Sequence, residues 1–165
     1  MMRFRDLKDY LFKLNNLFHV LVAIPLLGFV YLYLESQVGR MQPLIKDPDT
    51  VLILHYILPF LIMVESGLAF VVTRKSLSVF PNDDKLIGKL SVYFRISLIK
   101  YAILEGAAIV SVIGYYLTLS KVYVVFYVVL LMIFSLNRPT VYRISRDLKL
   151  EGEEKDTVIH KREIS

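Results

Sequence analysis

VLILHYILPFLIMVESGLAFVV, residues 51–72, is a run of 22 residues broken only by His55, Pro59 and the Glu65-Ser66-Gly67 step. An apolar stretch of this length matches the roughly 20 helical residues needed to cross a bilayer core of about 30 Å. Working outward, Leu17–Leu34 is a second such run of 18 residues, and Tyr101–Leu119 a third of 19 with Glu105 inside it. A fourth, Val122–Leu136, has 15 residues and is short for a span. It is expected to borrow Asn137 and the Ser120-Lys121 turn, or to sit where the bilayer thins. Of the 165 residues 56% are hydrophobic, and the mean hydropathy is +0.55. A water-soluble enzyme, a disordered tail and a free nucleic-acid binder are all excluded by that pattern.

The fold class expected is an all-α integral membrane protein. It comprises a four-helix transmembrane bundle over residues 1–138 and a charged, helical cytoplasmic tail over 139–165. The spans are placed at about 14–34, 51–73, 97–119 and 121–137. Arg3, Arg5 and Lys8 precede the first run as they would a signal peptide. No small-residue cleavage site follows Leu34, so the run reads as an uncleaved anchor. Pro25 and Pro59 are expected to kink spans one and two.

Orientation follows from the basic residues. The N-terminal stretch, the segment between spans two and three, and the tail together hold 17 of the 20 Lys and Arg. The opposite side has only Arg40, Lys46 and Lys121. Such asymmetry places both termini in the cytoplasm. It also accounts for the net charge of +5 without nucleic acid.

Between spans two and three, Pro81-Asn82-Asp83-Asp84 reads as a helix start that continues into span three. Lys85, Lys89 and Arg95 would meet anionic headgroups there. In the tail, Pro139 suits a first helical turn, giving a short helix to about Leu150. Beyond Gly152 the charged chain is expected to be loose. The external loop, Glu35 to Thr50, carries no binding signature. Tyr31, Tyr33, Tyr115, Tyr116 and Tyr123 on the outer side, with Tyr93 and Tyr101 on the inner, read as aromatic belts.

Two carboxylates lie deep within spans, where an unpaired Asp at a helix centre costs at least ~2.5 kcal/mol. Glu65 precedes Arg74 by nine residues, and Glu105 follows Arg95 by ten. At 1.5 Å per residue both lie roughly 13–15 Å from their arginine, at matching depth on antiparallel helices. Apolar surroundings disfavour a charged carboxylate, and a neighbouring acid disfavours a second charge, so the pair is a candidate proton- or cation-binding site. His19 lies about 9 Å into span one, with Asn15 one turn earlier, and Lys100 is near enough to snorkel or to face the acids. Ser66 and Gly67 beside Glu65, and Ala102, Gly106, Ala107 and Ser111 around Glu105, would let helices approach closely. The same small residues fit a packing role, in which a protonated Glu holds helices together by a hydrogen bond. His55 reads as interfacial.

Without cysteine, disulfides and thiolate chemistry are excluded. His19, Glu65 and Glu105 have no metal-ligand spacing, no axial-ligand pair is evident at one depth, and no phosphate-binding glycine loop exists. Neither catalysis, a resident cofactor nor a metal is therefore expected. The partners expected are the lipid bilayer and either further copies of the chain or other membrane subunits.

Arg95-Ile-Ser-Leu-Ile-Lys-Tyr-Ala-Ile-Leu-Glu105-Gly-Ala-Ala, continuing to Thr118, resembles the carboxylate helix of rotary ATPase c subunits. The resemblance implies an ion-carrying role for Glu105 alone. In layout the whole chain is similar to small uncharacterised four-span bacterial inner-membrane proteins with a Leu-Glu-Gly-Ala third helix and an Arg-Pro-Thr segment, here Arg138-Pro139-Thr140. That likeness implies location and topology.

The orientation is directly measurable, because the chain has no cysteine of its own. A single cysteine at Gln42 should react with an impermeant maleimide in intact cells. One at Glu153 should react only after permeabilisation. The reverse pattern would invert the topology.

Overall fold

The computed structural model describes residues 7–78 and 85–160, and every regular element among them is a helix. They are α1 (Leu7–Gln37), α2 (Pro48–Ser78), α3 (Leu86–Thr118), α4 (Lys121–Leu136), α5 (Val141–Asp147) and α6 (Gly152–Ile159). The first three run well past the apolar stretches that nucleate them. They are long and apolar enough to cross a membrane, and α4 with α5 counts as a fourth crossing only if the bent pair is one span. α4 alone rises about 24 Å, short of a bilayer core. Its axis turns by 79° into α5.

α3 is the hub, packed against α1, α2 and α4. Its buried residues recur at helical spacing: Leu90, Phe94, Ser97, Tyr101, Leu104, Ala108, Ser111 and Tyr115. That periodicity is one continuous face. α1 presents Leu7, Tyr10, Leu14, Phe18 and Phe29 to the core. It meets α4 through rings, with Phe29 stacked on Tyr127 at 4.1 Å between centroids and Phe18 edge-on to Phe134 at 6.3 Å. Offset and edge-on ring pairs add roughly 0.5–1.5 kcal/mol each beyond their buried area. Outward faces carry large apolar side chains such as Leu27, Tyr56, Phe60 and Leu136, as lipid contact requires.

Both prolines expected to kink their spans lie inside unbroken helices, each on a buried surface. The start of α2 was hidden in the sequence within the external loop. Asp47 caps it, accepting from the Thr50 amide at 2.9 Å and the Thr50 hydroxyl at 2.6 Å, while Pro48 needs no donor in the first turn. The Thr50 hydroxyl, then the amide, hold the Asp47 carboxyl below its ordinary value. A lowered value means the cap stabilises the fold above the usual carboxylate range and is lost as pH falls through the folded-state value.

The tail departs from expectation twice. Thr140, not a proline in the first turn, caps α5 through its side chain, with Pro139 one residue outside. Of the segment from Gly152 expected to be loose, the part up to Ile159 is helical, and residues 161–165 lie outside the described residues. The helical part is α6, whose Val158 is fully buried and whose Glu154 pairs with Lys89 at 2.8 Å. Lys89, expected at lipid headgroups, is thus turned towards the tail. Residues 82–95 contribute one helix continuous with span three from Leu86 onward, and the Pro81–Asp84 start lies outside the described residues.

Several tyrosines assigned to belts are interior. Tyr115 and Tyr123 at one end, and Tyr93 and Tyr101 at the other, are all buried, whereas Tyr31, Tyr33 and Tyr116 remain exposed. Each buried ring brings a hydroxyl that needs a partner. Tyr123 donates to the Leu54 carbonyl at 3.1 Å, Tyr101 to the Asn137 carbonyl at 2.9 Å and Tyr93 to Asp147 at 3.2 Å.

Tyr123 also sets the α3–α4 distance. A Cβ on Gly114 would stand 2.4 Å from its ring, closer than any real contact. Gly114→Ala should therefore destabilise the protein by about 1–3 kcal/mol through overpacking. Unfolding of the detergent-solubilised variant would measure it, and an unchanged midpoint would disprove the contact.

Candidate functional site

Glu65 lies at the α2–α3 seam, and Glu105 stands on α3 one residue before the glycine that Glu65 meets. Glu65 reaches across from α2 so that a Cβ on Gly106 would be 3.7 Å from either of its carboxylate oxygens. Gly106 is the residue after Glu105, so the seam brings one acid beside the backbone that carries the other. The absence of a side chain at Gly106 leaves the berth. Glu65 Oε2 is buried and has no hydrogen-bond partner among the described residues. Glu105 likewise has no hydrogen bond or ion pair there. Both residues are only half-buried, so the seam is open along one side.

The remaining candidates separate into two groups. Ser66 is half-buried beside Glu65. Ala107 and Ser111 are fully buried, and Ser111 donates to the Tyr123 carbonyl at 2.9 Å. They pack α3 against its other neighbours. Gly67 and Ala102 face outward, with nothing within 4 Å of a Cβ on Gly67. The small residues are therefore not one stripe. Ala107 and Ser111 serve the interior, Gly106 serves Glu65, and Gly67 and Ala102 are free for other contacts.

His19 and Lys100 do not join the acids. His19 is on the exposed side of α1, its ring edge-on to Phe18 at 5.4 Å. Asn15 donates to the Leu11 carbonyl at 3.0 Å within its own helix. Lys100 points to the end of the molecule where the tail begins. Its ammonium donates to Asn137 Oδ1 and lies 5.7 Å from the centre of the Phe70 ring, a cation–π distance. His55 stacks on Tyr123 at 5.6 Å, with its Nε2 enclosed and unpartnered among the described residues.

At that same end lies a group the sequence reading did not assemble. Arg74, Lys100, Arg143 and Arg146 line one cleft of about 370 Å³ with Asp147 and Asn137. Arg143 reaches back across the elbow to donate to the Leu136 carbonyl, one of the orphan acceptors at the end of α4. The signal in sequence was the Asn137-Arg138-Pro139-Thr140 stop followed by Arg143 and Arg146, which folds the tail's cations back against α2 and α3.

What this arrangement can do chemically is limited and specific. The seam offers carboxylate oxygens with free lone pairs and little else, and no group of three or more His, Cys, Asp or Glu residues is placed to hold a metal among the described residues. Comparison with protein-family models, with curated proteins and with solved structures gives no match, so the likeness of α3 to rotary c subunits stands on residues 95–118 alone.

The berth for Glu65 depends on the size of residue 106. Gly106→Ala meets the carboxylate at an ordinary contact distance and should leave it in place. Gly106→Leu should displace Glu65 and loosen the α2–α3 seam. Labelling of Glu65 by a hydrophobic carbodiimide, located by peptide mapping, should match the parent in the first variant and change in the second. Equal labelling in both would show that Glu65 does not rest on Gly106.

Proposed function

We propose that this chain is a small, non-catalytic integral membrane protein that binds a proton or a cation at Glu65 and Glu105, and that it works as part of an assembly. One observation carries the reading: Glu65 Oε2 is enclosed against Gly106 with no hydrogen-bond donor among the described residues. A carboxylate oxygen shielded from water and lacking a partner is strongly disfavoured, and binding a proton or a cation relieves it. Four crossings with both termini cytoplasmic fit the distribution of Lys and Arg, and the likeness in layout to four-span bacterial inner-membrane proteins supports that location. In that orientation the seam lies in the cytoplasmic half of the bilayer, roughly 13–15 Å from the arginine layer. His19 and Lys100 are left out of the ion-binding set by their directions.

The open side of the seam favours association. Both acids are half-buried in the single chain, and a further copy or another subunit over the seam would complete their shielding. The alternative reading, an accessory or structural subunit, uses the same surface with Glu65 as a hydrogen-bond donor to a partner helix.

Reconstitution in vesicles separates the two. With an imposed pH gradient, Glu65→Gln and Glu105→Gln should each cut proton movement by about tenfold or more while the particle keeps its size, as expected of a carboxylate on an ion path. If both variants conduct like the parent, or the parent conducts nothing, the ion-binding role is lost. The accessory role is then read from the composition of the gently purified particle.

A further inference from the structure

The second site is the basic cleft, and it is independent of the glutamate seam. Four cations line it, from three parts of the chain: Arg74 on α2, Lys100 on α3, and Arg143 and Arg146 on α5. Only one acid, Asp147, lines it with them, and its ion pair is with Arg146 at 3.1 Å. Among the described residues Arg74, Lys100 and Arg143 have no ion pair at all. Like charges gathered in one cleft repel, and the arrangement is relieved when an anion enters.

The donors suit one class of anion. Arginine presents a planar fork of N–H groups that fits phosphate oxygens in pairs, and lysine adds a mobile point charge. The half-buried Lys100 ammonium forms the inner wall, supported by Asn137 and the Phe70 ring, while Arg74 and Arg146 stand at the exposed rim. Phe70 and Leu77 add an apolar side to the same cleft. At about 370 Å³ the space is large enough for a phosphate with a small organic group attached. Basic pockets between helices at the cytoplasmic surface are suited to anionic headgroups.

We propose that this cleft binds a phosphate group, carried either by an anionic phospholipid headgroup or by a soluble phosphate ester. Binding there would tie the tail to α2 and α3, because Arg143 and Arg146 come from α5 and the other two cations from the long helices.

The test uses the full chain in nanodiscs. One set contains phosphatidylcholine alone and another phosphatidylcholine with phosphatidylglycerol. Lipid retained after detergent extraction is read by native mass spectrometry, and thermal stability is read with and without inorganic phosphate or glycerol 3-phosphate. Retention of phosphatidylglycerol over phosphatidylcholine should fall about tenfold in Arg74→Gln/Arg143→Gln, the scale expected when charge-assisted contacts are removed. Arg74→Gln alone should show part of the loss, which guards against disturbance of the elbow that Arg143 supports. Lys75→Gln, which removes the same charge from the neighbouring residue outside the cleft, should leave retention unchanged. Retention that soluble phosphate does not displace assigns the site to lipid. Stabilisation by glycerol 3-phosphate, lost in the same variants, assigns it to a soluble ester. Equal retention of both lipids with no effect of either soluble anion, or cleft variants that match Lys75→Gln, would overturn the proposal.

Discussion

The close approach of α4 to α3 is the constraint on which the other contacts rest. Gly114 has no side chain, and the ring of Tyr123 occupies the space one would fill. With that ring seated, its hydroxyl reaches the Leu54 carbonyl on α2 and its own carbonyl accepts from Ser111 on α3. One residue of α4 therefore ties three helices. The position of α4 in turn presents Tyr127 and Phe134 to α1, which meets them with Phe29 and Phe18. In an apolar solvent the usual hydrophobic driving force between helices is missing, so ring packing and a few polar contacts must hold them together.

Much of the architecture was legible because bilayer thickness and helix rise leave little freedom to an apolar run of about 20 residues. The three long apolar helices, the continuous helix through Arg95 and the short tail helix all follow from length and breakers. The misreadings have local causes. Asp47-Pro48-Asp49-Thr50 looked like loop because charge and proline dominate it, yet an acid followed by proline is also a helix start. The segment after Gly152 looked loose because its charges were counted without partners, and the ion pair from Lys89 to Glu154 links residues far apart in sequence. Tyr93, Tyr101, Tyr115 and Tyr123 looked interfacial because an amphipathic ring at a helix end fits a headgroup layer equally well. Only the helix face decides, and a weakly amphipathic membrane helix declares its face poorly.

The candidate site was legible in depth but not in direction. Counting residues from Arg74 and Arg95 put Glu65 and Glu105 at one level, and Glu65 meets α3 at Gly106, the residue after Glu105. Depth alone also drew in His19 and Lys100, which point elsewhere. Two groups at one level share a site only if their helices turn them to the same side. The rotation of a helix about its axis is set by its neighbours, as Gly106 does for Glu65. The basic cleft was missed for the complementary reason: its cations come from four separated positions, and only the 79° elbow after α4 gathers them.

That elbow has a counterpart at the other end of α4, where only Leu119 and Ser120 separate it from α3. Leu119 adopts a left-handed conformation, φ 51°, that a leucine takes up at a cost of roughly 1–2 kcal/mol. Closing so short a connection forfeits very little chain entropy, whereas α1 and α2 are joined through ten intervening residues, 38–47. The consequence is one of assembly order. α3 and α4 form a helical hairpin whose contacts fan out from the turn, from Ser111 with the Tyr123 carbonyl to Tyr101 with the Asn137 carbonyl. The hairpin can therefore close from its tight turn towards the elbow, each contact shortening the length of chain that the next one must close.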